Sequence, residues 1–157
     1  MKHLTFVLFF SICLSACQTV VMSPSTAQIF ALRLHPGQDL KKELDTFARE
    51  NQLQAGFIVT CVGSLRKVQL RLANQPGGTV WEQKFEIVSL VGTLSPDGSH
   101  LHLSVSDSSG VTLGGHLMEG CEIYTTAEIV LGEAKALRFR RETDHETTFK
   151  ELTIEKR

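Results

Sequence analysis

From Gln28 to Ile154 the apolar positions mostly recur with period two, the mark of strands that cover one face. Gln28 to Leu34 alternates and is stopped by His35-Pro36-Gly37. The next segment changes period. Leu40, Leu44, Phe47 and Ala48 fall on one helical face, and Lys41, Lys42, Asp45 and Arg49 on the other. Asp39 stands where its carboxylate can accept from first-turn N–H groups, and Asn51 suits the stop. Strands are predicted again over Phe57–Val62, Val68–Leu72, Phe85–Leu94, Ile123–Leu131, Leu137–Arg141 and Phe149–Ile154. Asn74–Gly78 and Ser95-Pro96-Asp97-Gly98 supply turns between them. One main helix with short connections elsewhere predicts an α+β domain, mainly an antiparallel sheet of about seven to eight strands.

One segment, HLHLSVSDSSGVTLGGH, holds three of the chain's 6 histidines between His100 and His116. Leu101, Leu103 and Val105 alternate with His100, His102 and Ser104; Val111, Leu113 and Leu117 stand against Thr112, Gly114 and His116. Ser108-Ser109-Gly110 fits a three-residue hairpin loop with glycine where φ is positive. That loop sets Asp107 opposite Val111, Val105 opposite Leu113, His102 opposite His116 and Leu101 opposite Leu117. A slip of one residue would mix apolar and polar faces, so the pattern selects this register. The Cβ atoms of His102 and His116 are then about 5 Å apart, with His100 about 7 Å away on the same face.

Three imidazoles so placed can meet at one ion, and three histidines plus an open position is a zinc geometry. Neutral imidazole favours zinc; nickel, copper and iron suit the same donors. Gly114 and Gly115 are expected to leave space beside the site. Hydrolysis through a metal-bound water would also need a general base. Glu86, Asp107, Glu122 and Glu128 are the carboxylates on flanking strands and turns, and no spacing places any of them there.

The chain's 157 residues suffice for one domain, with 42% hydrophobic and 21% charged residues. A net charge of -1 gives no general attraction to nucleic acid or anionic membrane. The N-terminus stands apart. Met1-Lys2-His3 is a short positive start, and Leu4–Leu14 an apolar run too short to span a bilayer. Leu14-Ser15-Ala16-Cys17 resembles a bacterial lipobox, which makes residues 1–17 a lipoprotein-type signal with Cys17 the lipidated residue. Residues 18–27 read as a tether and 28–156 as the folded domain. The expected location is the periplasmic side of the outer membrane. Cys61 and Cys121 remain, as a bridge or as two buried thiols.

LRLHPGQDL, TCVGSL, FEIVSLVGTLSPDGSHLHLSVSDSSGVTLGGHL and GCEIYTTAEIVL resemble the prokaryotic branch of the plant and prokaryote conserved (PPC) domain family, over about Ile29 to Ile154. The resemblance implies a mixed fold on an antiparallel sheet and assembly as a homotrimer. It also implies that His100, His102 and His116 match metal-holding positions of some members. Prokaryotic relatives are often labelled DNA-binding, but this chain has no Arg-Gly-Arg-Pro hook. Its basic residues, Arg66, Lys67 and Arg71, then Arg138, Arg140 and Arg141, form short clusters expected to be matched by nearby acids. The expectation is an envelope-anchored binding or assembly module with a three-histidine zinc site and no identified small-molecule ligand. A metal-dependent hydrolase and a DNA-binding regulator are the alternatives.

Overall fold

The computed structural model describes residues 24–157; the signal, Cys17 and the first part of the tether lie outside the described residues. In chain order the elements are β1 (Ala27–Leu34), α1 (Leu40–Glu50), β2 (Gly56–Arg71), β3 (Thr79–Trp81), β4 (Phe85–Ser95), β5 (Gly98–Ser106), β6 (Thr112–Leu117), β7 (Glu122–Ala134), β8 (Leu137–Thr143) and β9 (Lys150–Lys156). Seven strands form one antiparallel sheet in the order β1-β7-β2-β4-β5-β6, with β3 on β2; β8 and β9 pair separately. β6 also returns to the far end of β2, through Leu70–Leu117 and Arg71–His116. The pairings β2-β4-β5-β6-β2 therefore close a circuit around part of the core.

α1 forms where the period-3.6 pattern places it. Asp39 Oδ1 accepts from the N–H groups of Lys41 and Lys42 at 3.0 and 3.1 Å, and Oδ2 from that of Gly120 at 2.6 Å. One carboxylate thus caps the helix and ties it to the β6–β7 turn. Leu40, Leu44 and Ala48 are buried against the sheet with Leu65, Leu70, Leu101, Leu117 and Ile129. Each fully buried leucine contributes about 1.5–3 kcal/mol relative to exposure.

Two expectations change. Phe57–Val62 and Val68–Leu72 are largely parts of one strand, the 16-residue β2. Its pairing with β7 shifts register between Ile58 and Thr60, Gly63 and Leu65, and Leu65 and Lys67. Each bulge offsets the alternation, so the period-two signal is interrupted where the strand bends rather than where it ends. β3 was not expected, since its three residues carry too short a pattern. Cys61 and Cys121 are both buried free thiols. Burial pushes Cys61 up to about 12 and Cys121 up to about 11, so both are protonated and inert.

The second sheet packs on the first through Phe139, Ala55 and Ala134. Phe139 N–H donates to Gln54 O at 2.9 Å, and Arg141 N–H to Asp97 Oδ2 at 3.1 Å. These contacts lay the β8–β9 hairpin beside the histidine end of β5.

Gly92 of β4 lets β4 approach β5 closely at that end. Its φ is +133°, and a Cβ there would stand 2.0 Å from His100 O. Gly92→Ala is expected to cost about 1–3 kcal/mol or more through backbone strain and displacement of β5. Gly77→Ala, in open space, should be close to neutral. Urea denaturation midpoints of the two variants test the difference.

Candidate metal centre

The hairpin of β5 and β6 folds in the register that its hydrophobic pattern selects. His102 faces His116, Ser104 faces Gly114 and Val105 faces Leu113. The turn holds this register. Gly110 takes φ +83°, Asp107 N–H donates to Val111 O at 3.0 Å, and Asp107 Oδ1 accepts from Ser109 N–H at 2.8 Å and Val111 N–H at 3.1 Å. The paired run stops at His102–His116, short of the expected Leu101–Leu117 pair. There β6 turns to meet β2, and both leucines enter the common core instead.

On the face away from that core the three rings converge. Their centroids lie 5.1 Å apart for His100–His102, 5.1 Å for His100–His116 and 5.6 Å for His102–His116. One ring nitrogen from each lies within 4.8 Å of the other two. A tetrahedral ion with bonds of about 2.1 Å holds its ligand atoms about 3.4 Å apart, so modest ring rotations close the set. The donors fit an ion in a second respect. His116 Nδ1 is buried and has no hydrogen-bond partner among the described residues. Such an orphan acceptor or donor costs free energy unless something binds it. The cluster can therefore hold a metal ion.

Burial and nearby positive charge favour the neutral forms of His100 and His116. Burial, then Arg71 and the neighbouring imidazoles, pushes His116 down to about 4. Burial, Arg141 and His102 lower His100 as well, against a smaller opposing effect of Glu151. Arg141 Nη2 lies 3.0 Å from His100 Nδ1. A guanidinium only donates, so Nδ1 accepts and the ring proton sits on Nε2.

The four carboxylates considered from sequence are not brought here. Asp107 is occupied by its turn, and Glu122 is paired with Arg66. Glu86 lies beside Ser106 and Lys84 in another depression, and Glu128 is exposed on β7. The carboxylate beside the histidines is Glu151 of β9, which sequence reasoning missed together with Arg71 and Arg141. Arg71 had a readable signal once β6 was known to turn onto β2, because it pairs with His116. The two glycines also act differently from expectation. A Cβ on Gly115 would stand 2.8 Å from Arg71 O and one on Gly114 3.1 Å from Leu103 O, so they permit close strand approach.

The depressed His116 value has a signed consequence for the metal-free protein. Between its ordinary value of 6.5 and about 4 the unfolded chain binds the proton and the folded chain does not. This contribution is whole above pH 6.5 and is lost progressively as pH falls toward 4. Urea midpoints of the metal-free protein should drop over that window, and His116→Asn should flatten the drop. An equal slope in both proteins would contradict the assignment.

With the geometry established, comparison with known proteins places the chain. A structure of a hypothetical protein from Salmonella enterica superposes with a TM-score of 0.84 at 48% identity, covering 86% of this chain and 98% of that one. A metal-containing protein from Archaeoglobus fulgidus shares the fold at a TM-score of 0.73 and 23% identity, covering 87% and 99%. The bifunctional protein GlmU of a Synechococcus strain is 52% identical over 134 residues, 85% of this chain and 21% of GlmU. The chain thus spans about a fifth of the length of that relative. The model of the Plants and Prokaryotes Conserved (PCC) domain, the PPC domain named above, matches residues 21–135, and the chain belongs to that family.

Proposed function

We propose that this chain is a metal-binding module of the PPC family, carrying zinc on His100, His102 and His116, assembled as a homotrimer and tethered to the envelope through Cys17. The observation that carries the reading is the convergence of three imidazoles around the unpartnered, buried Nδ1 of His116. The metal-containing Archaeoglobus protein of the same fold supports it. An ion on three neutral imidazoles keeps a fourth position open and polarises an oxygen placed there. His100 and His116 stay unprotonated near neutral pH, and the turn of Asp107 and Gly110 orients their strands.

Self-association is supported by apolar strand surface. Ile29, Val59, Val62, Val88 and Val91 are each more than half exposed. Such a quantity of outward valine and isoleucine fits association between copies of one chain. A nucleic-acid reader is the weaker reading. Arg66 pairs with Glu122, Lys67 with Glu82 at 3.2 Å and Arg140 with Asp97 at 3.2 Å, which engages much of the basic surface within the chain.

Metal analysis of protein purified without chelator should find one zinc per chain. His102 is exposed, so His102→Ala should keep the fold and lose at least about tenfold in metal affinity. A metal-free wild type, or an unaffected variant, would refute the site.

Expressed whole in a Gram-negative host, the chain should fractionate with membranes and accumulate as an unprocessed form under globomycin. Solubilised in detergent, it should sediment with a three-chain mass. A soluble, uncleaved monomer would overturn both the tether and the trimer.

A further inference from the structure

The three-histidine cluster sits among positive charges that its ligand role does not require. Arg71 reaches it from β2, across the ladder from His116, and Arg141 from β8. Among the described residues neither guanidinium has a carboxylate within 4.0 Å, unlike Arg66, Arg140 and Arg157. Two depressions of about 270 and 310 Å³ flank the rings, and both are lined by His100, Arg141 and Glu151. The smaller one also holds Arg71, His116 and Lys150. Against these cations it presents one carboxylate, Glu151, whose hydrogen-bond partner is Thr147 Oγ1 at 3.1 Å.

A divalent ion on three neutral imidazoles adds two further positive charges that no ligand offsets. The half-buried setting weakens solvent screening of this excess. Ion binding also changes what Arg141 can do. Its Nη2 donates to Lys150 O at 2.5 Å and to His100 Nδ1. Ligation of His100 through Nδ1 uses the lone pair that Arg141 occupies. Ligation through Nε2 moves the ring proton to Nδ1, which then no longer accepts. Either way the guanidinium loses His100 and keeps Lys150 O, which frees N–H capacity at the edge of the cluster.

Resting on the metal reading above, we infer that this site binds a tetrahedral oxyanion of the phosphate class. One oxygen occupies the open position on the ion, and the others accept from Arg71 and Arg141. Three positive groups from three directions are best matched by three oxygens that point apart, rather than by the two coplanar oxygens of a carboxylate. A phosphate or its monoester presents three oxygens in a tetrahedral arrangement, with more negative charge than a carboxylate. The depressions are small, which suits a compact ligand. Arg141, Lys150 and Glu151 lie beyond residues 21–135, so the C-terminal hairpin adds ligand-selecting groups outside the family match.

Purified protein loaded with cobalt(II) provides the test, since its visible absorption follows the ion's coordination. Metal content is measured first, then inorganic phosphate, methyl phosphate and acetate are titrated separately. Phosphate should change the spectrum saturably and bind at least about tenfold more tightly than acetate. Arg71→Gln and Arg141→Gln, on separate elements, should each weaken phosphate by about tenfold or more while one metal per chain is retained. Methyl phosphate binding comparable to phosphate would assign the site to monoesters, and its failure to the free ion. Full metal content with no phosphate response, or with equal responses in both variants and wild type, overturns the oxyanion site alone. Absence of metal from the wild type overturns the metal reading and the oxyanion site together, and metal analysis records it before any anion is added.

Discussion

The cross-strand pairing of His102 with His116 is the constraint on which the site depends. It is set two ways. Locally, Asp107 and Gly110 close a loop of fixed length, with a carboxylate oxygen holding Ser109 and Val111. Globally, Leu101, Leu103, Val105 and Leu117 are almost wholly buried on the opposite face. A slip of one residue would expose those side chains and bury imidazoles in their place, at several kilocalories per mole by the usual scale of about 1.5–3 for each large apolar side chain. Local turn chemistry and the distant core therefore select the same register.

Closure of the strand circuit adds what a free hairpin would lack. β6 leaves β5 after His116 and joins β2, which brings Arg71 alongside the rings and buries one edge of His116. That burial depresses the imidazole's proton affinity and leaves its Nδ1 without a hydrogen-bond partner among the described residues. Gly92 and Gly115 serve the same closure, because a side chain at either would push neighbouring strands apart. The neutral nitrogens of His116 are thus maintained by packing as well as by pH.

The β8–β9 hairpin gives His100 a partner that competes with any ion for its Nδ1. While Arg141 donates to Nδ1, the ring's other nitrogen carries a proton and cannot ligate. An ion bound there would have to displace that hydrogen bond, so the arginine would oppose loading and be released by it. The same hairpin brings Glu151 to the site, the carboxylate that none of β4, β5 or β7 provides.

The sequence by itself determined a great deal here, because the decisive signals are local. Helix α1 announces itself through apolar spacing and the Asp39 cap, and the histidine hairpin through period-two alternation and a glycine-ended loop. Register follows from those features alone, so the convergence of His100, His102 and His116 was legible in the sequence. Tertiary structure decided what crosses between distant segments. Arg71, Arg141 and Glu151 come from β2, β8 and β9, and nothing in their local pattern points toward the histidines. β2 read as two strands because bulges against β7 shift its alternation, and that partner lies about sixty residues away in sequence. Period and turn chemistry are properties of neighbouring residues; electrostatic surroundings are set by chain closure, which no local window contains.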